Sequence, residues 1–329
     1  MTKKNTAVLC RVTEVHEIED APEWERIILD GKYQIVYRKG ILKENDQKLF
    51  VPSGSWIPSS VVTLSETGTY KDVEGGYLPL TRTFNHWSEG LIFNPEMVND
   101  VKFMEWQRDL PKDFQTDSNY YKTFPKFLKS PEIIHCQDLS NKIFKENDEY
   151  EITPFLDGIT VICYVKNERF GICTTKYEIQ EHSDDPFWKY FREMNLPDTL
   201  TNYADNFAIY GTIVGKGIYS NLDNFEKRKF FVHDMYSIDQ KEFVTNVERY
   251  NAFTELCEYC DYGTFDHVPV FQRGELNQFC ENFRELIDYS DGQCMAPYSK
   301  RKGLVFKSLT NPQFKFKVPS PLFKIINKL

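Results

Sequence analysis

The chain has 329 residues, 41% of them hydrophobic and 15% aromatic, with 26 Phe and 19 Tyr; that is enough for a sizeable core or two modest domains and argues against a disordered chain. No eighteen apolar residues run together, and the opening MTKKNTAVLC lacks the apolar stretch of a signal peptide, which predicts an intracellular protein without a membrane span. The formal charge of -9 speaks against broad non-specific nucleic-acid binding, yet Lys300 to Leu329 carry eight Lys or Arg and no acid, against 32 basic and 49 acidic residues elsewhere.

Residues 1–110 read as short strands separated by turns. AVLCRVTEV alternates, and GKYQIVYRKG places Tyr33, Ile35 and Tyr37 on one strand face. KLFVPSG and GGYLPLTR follow polar or glycine turns, a small β-barrel pattern. NPEMVNDVKFMEWQRDL closes this part as a helical or irregular segment, and the polar stretch over 111–123 reads as a linker. From Phe124 to Leu329 strands and helices intersperse. EYEITPF, ITVICYV, RFGICTTKYEI, NFAIYGTIVG and KFFVHDMYSI are strand blocks, with tight turns at Asp157-Gly158 and Asn167-Glu168. Apolar residues recur at helical spacing in DPFWKYFREM, VTNVERYNAFTELCEYC and ELNQFCENFRELIDYS.

Eight cysteines are scattered, and only Cys257 and Cys260 are close; their spacing fits one turn of a buried helix face better than a metal or redox site. In the basic end, Leu304, Val305, Phe306, Phe314, Phe316 and Val318 alternate with lysines, which predicts strands with one buried face and one cationic face. Without a Gly-rich phosphate loop the second region reads as an α+β enzyme-like domain and not a Rossmann fold.

Taken in order, several segments from Phe124 onward resemble the RNA ligases of the covalent nucleotidyltransferase superfamily that carry an N-terminal OB-like domain. FPKFLKSPEIIHCQDL is similar to the family's opening segment through Phe124, Pro125, Phe127, Lys129, Glu132 and Gln137. TPFLDG resembles motif I (TEKLDG), and FGICTTKYEI the strand after it, with Cys173 and Glu178 in place and Thr175 for an Arg. YGTIVGKGIYSN resembles motif III (GELxGxGIQxN), FFVHDMYSI motif IIIa, RKGLVFKS motif IV (xEGLVxK) and FKFKV motif V. The early segments, with VPSGSWIP and EGLIFNP, resemble the OB-like domain of the same ligases. The resemblance implies an N-terminal OB-like β-barrel (1–110) followed by an ATP-grasp-like nucleotidyltransferase domain (124–329).

Three departures bear on chemistry. The family's nucleophilic lysine attacks the α-phosphate of ATP to give a lysyl-AMP intermediate; Phe155 stands there and has no nucleophilic atom. Thr212 replaces the motif III glutamate and Lys302 the motif IV glutamate, removing hard oxygen ligands that Mg²⁺ would use. Asp157 and Gly158 of motif I remain. So do Lys307, Lys315 and Lys317, which the resemblance places near phosphates, while His233 falls near the family's adenine-stacking aromatic. Lys302 is expected to stand in the space of the lost metal and meet phosphate.

The leading expectation is thus a catalytically inactive relative with no resident metal, binding RNA or a nucleotide such as ATP through the former ligase site. OB-like domains bind single strands on aromatic platforms beside cationic grooves; Tyr33, Tyr37, Trp56, Tyr77 and Trp87 are the aromatics to place against Arg38, Lys39 and Arg82. Two alternatives stand beside it. One is a protein-binding scaffold with a vestigial site, and the other an active ligase or transferase using Lys302 as a non-standard nucleophile.

Overall fold

The computed structural model describes residues 7–57, 76–78, 80–95, 104–105, 110–260, 263–295, 300–321 and 323. The chain divides into two compact units, Met1–Arg108 with Pro321–Leu329, and Asp109–Ser320. Most of the segment read as closing the first region, 94–110, lies outside the described residues. No helix among them is long and apolar enough to cross a membrane.

The strands described in the first unit are β1 (Val8–Glu17), β2 (Trp24–Leu29), β3 (Tyr33–Arg38), β4 (Gln47–Pro52), β5 (Ser55–Ile57), β6 (Gly76–Tyr77), β7 (Thr81–Thr83), β8 (His86–Ser88), β9 (Gly90–Phe93) and β10 (Met104–Glu105). Its main sheet is antiparallel in the order β3-β2-β1-β4-β9. The two edges meet. Glu89 N donates to Gln34 O at 2.8 Å, and Gln34 Nε2 donates to Trp87 O at 2.8 Å. These bonds satisfy edge groups and curl the sheet into a near-barrel. Tyr33 and Tyr37 fill its core with Ile27, Leu29, Ile35 and Phe50, so they offer no platform to a ligand. Trp87 is buried, with the Arg82 guanidinium 5.0 Å from its ring centre, and Lys39 pairs with Glu17. The side chains of Trp56 and Tyr77 lie outside the described residues.

The second unit contains β11 (Tyr121–Thr123), β12 (Ile134–His135), β13 (Glu149–Pro154), β14 (Ile159–Lys166), β15 (Arg169–Cys173), β16 (Tyr177–Ile179), α1 (Pro186–Glu193), α2 (Leu196–Tyr203), β17 (Phe207–Val214), β18 (Lys229–Ser237), β19 (Glu242–Phe243), α3 (Asn246–Cys257), β20 (Phe265–His267), β21 (Gln272–Glu275), α4 (Phe283–Ser290), β22 (Gly303–Ser308) and β23 (Lys315–Pro319). A large sheet runs β11-β16-β15-β14-β17-β18-β19, with β20 parallel to β18. A second sheet runs β12-β23-β22-β13-β21. Alternation sorts the side chains. Val161, Cys163, Ile209 and Val232 pack under α1, α2 and α3 with Phe187, Phe191, Leu200 and Leu256. Tyr150, Ile152, Phe306 and Phe316 pack against α4 through Phe283, Leu286 and Ile287. The α+β class and ligase-like architecture expected from the sequence are those of the structure.

Helix ends explain both the agreements and the differences. Asp185 caps α1 by accepting from the Phe187 and Trp188 amides at 2.9 and 3.1 Å, with Pro186 in the first turn. Thr245 and Glu248 form a capping box on α3. The single helix expected over 275–290 is instead a 3₁₀ turn (Leu276–Gln278) followed by α4, because the Asn282 side chain accepts from the Glu285 amide at 3.0 Å and starts a new helix. RFGICTTKYEI is two strands, broken where Thr174 Oγ1 accepts from the Lys176 and Tyr177 amides. Helix α2 has no counterpart in the sequence reading; its Pro197 sits in the first turn, where proline costs no hydrogen bond. The stretch 111–123, read as a linker, puts Phe114 into the second unit's core and pairs β11 with β16.

Candidate functional site

The second sheet presents its other face to the large sheet. On β13 that face carries Glu151 and Thr153 and continues to Phe155, whose amide donates to Gly303 O at 2.9 Å. The register sets Arg273, Glu151, Lys307 and Lys315 side by side across β21, β13, β22 and β23. Two residues along, Thr153, Val305 and Lys317 form the next row, with His135 beyond. Opposite signs alternate along the first row as Arg, Glu, Lys, a favourable cross-strand arrangement, and only the Lys307–Lys315 pair is like-charged.

That pair is answered from the facing sheet. β18 slips register between Tyr210 and Gly211, pairing Tyr210 with Asp234 and Gly211 with Val232, so His233 is the extra residue of a β-bulge. The bulge turns the Asp234 carboxylate toward the lysines. Lys315 Nζ lies 2.5 Å from Asp234 Oδ2, Lys307 Nζ contacts Oδ1, and Lys307 Nζ also donates to His233 O at 3.0 Å. Lys307 and Lys315 are 6% and 5% exposed. The cationic face expected to be open is therefore enclosed at these two positions, because a carboxylate is supplied from across the interior. Burial, then Lys315, pushes the Lys307 ammonium well below the lysine range; burial, then Arg249 and Lys129, pushes Lys315 to about 7. Glu151 pulls Lys307 the other way, and the contacts of Asp234 with both lysines are those of ion pairs. His233 is held neutral by burial first and then by Lys315, Lys307 and Arg249.

Arg249, from α3, completes the cluster. Its guanidinium contacts Glu151, lies 3.9 Å from Asp234 Oδ1, and donates through Nε to His267 Nε2 at 3.0 Å. Arg273 reaches the other Glu151 oxygen at 2.8 Å. Burial alone raises the Glu151 carboxyl, but Arg249 and Arg273 outweigh it and hold it below the usual range. The cluster's Glu151, Asp234, Arg249 and His267 were not singled out from sequence. Two signals were available: Glu151 lies two residues before Thr153 on the site face, and Arg249 lies three and seven residues before the buried Ala252 and Leu256.

His267 makes the cluster acid-sensitive. Nδ1–H donates to Val268 O at 2.6 Å and Nε2 accepts from Arg249, so only the neutral ring fits. Burial, then Arg249, lowers it from 6.5 to about 4. A base with a depressed folded pKa gives stability that is complete above about 6.5 and lost as pH falls toward 4, because the unfolded chain takes up the proton first. The expected loss is about 3 kcal/mol. Unfolding free energies at pH 7 and 4.5 should show a smaller loss for His267→Gln than for the parent; equal losses would contradict this.

The residues matched to motif I form the other end of the site. Asp157 is buried, and Lys302 Nζ lies 3.4 Å from its Oδ1. The same ammonium sits 4.5 Å from the centre of the Phe155 ring, and Lys317 Nζ 5.7 Å from it. Phe155 thus stands beside two cations, within cation–π range. Gly158 packs on β17: a Cβ there would lie 2.2 Å from Ile213 O and 2.6 Å from the Thr212 methyl. Only glycine permits that approach, and it sets the Asp157 turn against Thr212. Gly303 works similarly, at φ 150° and with a Cβ position 2.3 Å from Val318 O, holding Lys302 at the start of β22. The structure thus gathers Phe155, Asp157, Lys302 and Lys317 at one point, Gly158 with Thr212 beside them, and Lys307, Lys315 and His233 around Asp234. Of the opening segment, Phe124, Phe127 and Leu128 pack on the site face of the large sheet, and Tyr210 Oη donates to Lys129 O at 2.8 Å. The Gln137 side chain lies outside the described residues.

The fold is shared with known proteins. Solved structures of a Naegleria gruberi RNA ligase are similar over nearly all of both chains at 24% identity. A point mutant without ligand gives a TM-score of 0.84 over 100% of this chain and 99% of that one. Another, with ATP and manganese, gives 0.83 over 98% and 99%, and a third, with AMP and manganese, 0.84 over 99% of each. No curated protein sequence matches the chain. The RNA ligase family, compared as a sequence model, matches residues 148–326, from β13 through motifs III, IV and V. On that match the chain belongs to the RNA ligase family.

Proposed function

We propose that this chain is a catalytically inactive member of the family that binds a nucleotide, or the phosphate of an RNA, at the face built by Phe155, Asp157, Lys302 and Lys317. The observation that carries the reading is Phe155. A phenyl ring cannot attack phosphorus, and its two nearest cations are placed to receive phosphate oxygens. Lys307 and Lys315 act from behind, through Asp234, by fixing β18 and the His233 bulge. His233, neutral and partly exposed, is the ring on which a base would stack. Asp157 and Gly158 shape the turn that presents Lys302.

Reading Lys302 as a replacement nucleophile has one observation in its favour, its place over the Phe155 ring. Attack needs the amine lone pair aimed at phosphorus, however, and the Asp157 carboxylate 3.4 Å from the Lys302 nitrogen is a negative charge that an incoming α-phosphate would meet. One experiment separates the readings. Protein incubated with α-labelled ATP and Mg²⁺ or Mn²⁺ is expected to show no covalent AMP by denaturing gel and intact mass, and measurable reversible ATP binding. An adduct mapped to Lys302 would establish the active reading instead. Failure to bind both ATP and RNA would leave the scaffold reading.

A further inference from the structure

The family resemblance implies a divalent metal, and several of the similar ligase structures hold manganese. The donor set here does not suit one. Thr212 and Lys302 stand where the family's two carboxylates are expected, and the remaining carboxylate, Asp157, has an ammonium 3.4 Å away. Among the described residues no group of three or more His, Cys, Asp or Glu side chains is placed to hold a metal ion. A hard dication seeks several anionic or carbonyl oxygens and is repelled by a fixed ammonium.

From this disagreement we infer that the site takes nucleoside phosphates as the metal-free anion, with Lys302 as a tethered cation in place of the divalent ion. The inference rests on the nucleotide-binding reading above. Three features support it. Lys302 is positioned by Gly303 behind it and Asp157 beside it, so its ammonium is oriented before any ligand arrives. Lys317 approaches the same ring from the neighbouring strand, so two cations stand over Phe155 and the Asp157 carboxylate stands beside Lys302. The Phe155 ring lies against both ammonium groups and contributes no donor or acceptor that would compete for the phosphate. A magnesium chelate of the triphosphate would bring its own positive charge toward these cations and lose affinity in proportion.

The test is calorimetric titration of ATP into the full chain, once in EDTA and once in excess Mg²⁺, with the parent, Lys302→Gln and Lys302→Glu. For the parent, binding in EDTA is expected to be at least as tight as in Mg²⁺. Lys302→Gln should weaken binding in EDTA by about tenfold or more, as loss of a charge-assisted contact does. Lys302→Glu should bind ATP only when Mg²⁺ is present. Should that variant fail to fold, as judged by thermal melting, Lys302→Gln still decides. Parent binding that weakens by about tenfold or more on chelation would overturn the inference while leaving nucleotide binding intact. Absence of binding in both conditions would overturn the nucleotide-binding reading and the inference with it.

Discussion

The Phe155→Lys variant is expected to remain without covalent AMP when incubated with ATP and Mg²⁺ or Mn²⁺, whereas the triple variant Phe155→Lys, Thr212→Glu, Lys302→Glu is expected to acquire it. Restoring the amine alone supplies a nucleophile but not the charge stabilisation that pyrophosphate departure requires. Metal-assisted stabilisation of phosphoryl transfer is worth several kcal/mol, on the order of a thousandfold or more in rate. Lys302 adds a second obstacle. An ammonium over the ring at 155 would become an ammonium beside a new lysine, and Asp157 at 3.4 Å is already engaged. The two added carboxylates would line the pocket from β17 and the start of β22, where Gly158 already presses the motif I turn against Thr212. Intact mass after incubation reads the result directly. A strong adduct from the single variant would show that the altered carboxylate positions do not limit the chemistry, and the metal argument would fall with it.

Arg249→Met is expected to be the most damaging single change to stability, costing about 3 kcal/mol or more. Its guanidinium is 1% exposed and joins Glu151, Asp234 and His267. Removing it leaves two carboxylates with a share of their compensation gone inside the unit, although Arg273 still reaches Glu151 and two lysines still reach Asp234. The control is Arg192→Met, which breaks an equally well-formed pair with Glu181 at 2.6 Å on the surface. That change should stay within about 1 kcal/mol, because solvent screens the exposed pair. Chemical denaturation of the two variants beside the parent gives the comparison. If Arg249→Met proves as mild as Arg192→Met, the cluster does not hold the two sheets together.

Much of this was legible in the sequence, for identifiable reasons. Strands β13, β14, β17, β18, β22 and β23 are dense in alternating apolar residues, and short motifs in a fixed order gave the family before any coordinates. Phe155 stood out as a departure from motif I because residue type alone shows that a side chain has no nucleophilic atom. What was not legible depends on partners distant in sequence. Nothing near Lys307 or Lys315 announces that Asp234, more than seventy residues earlier, encloses them; that follows from a one-residue bulge at His233. The break before α4 turned on one Asn side chain choosing the Glu285 amide. Helix α2 was hidden by a proline that is harmless only in the first turn, and the role of residues 111–123 by a polar composition that says little about Phe114.

The doubly engaged Asp234 bears on how relatives of this chain are interpreted. A phenyl ring is accommodated at 155 in this fold, beside the Lys302 and Lys317 ammonium groups. Lys307 and Lys315 are less dispensable, because each loss takes from the buried Asp234 one of its two close lysine partners. Selection for a foldable chain would therefore preserve these two lysines whether or not ligation is also under selection. Their presence in another sequence is a record of architecture, and the residues at positions 155, 212 and 302 are the better witnesses to whether the old reaction survives.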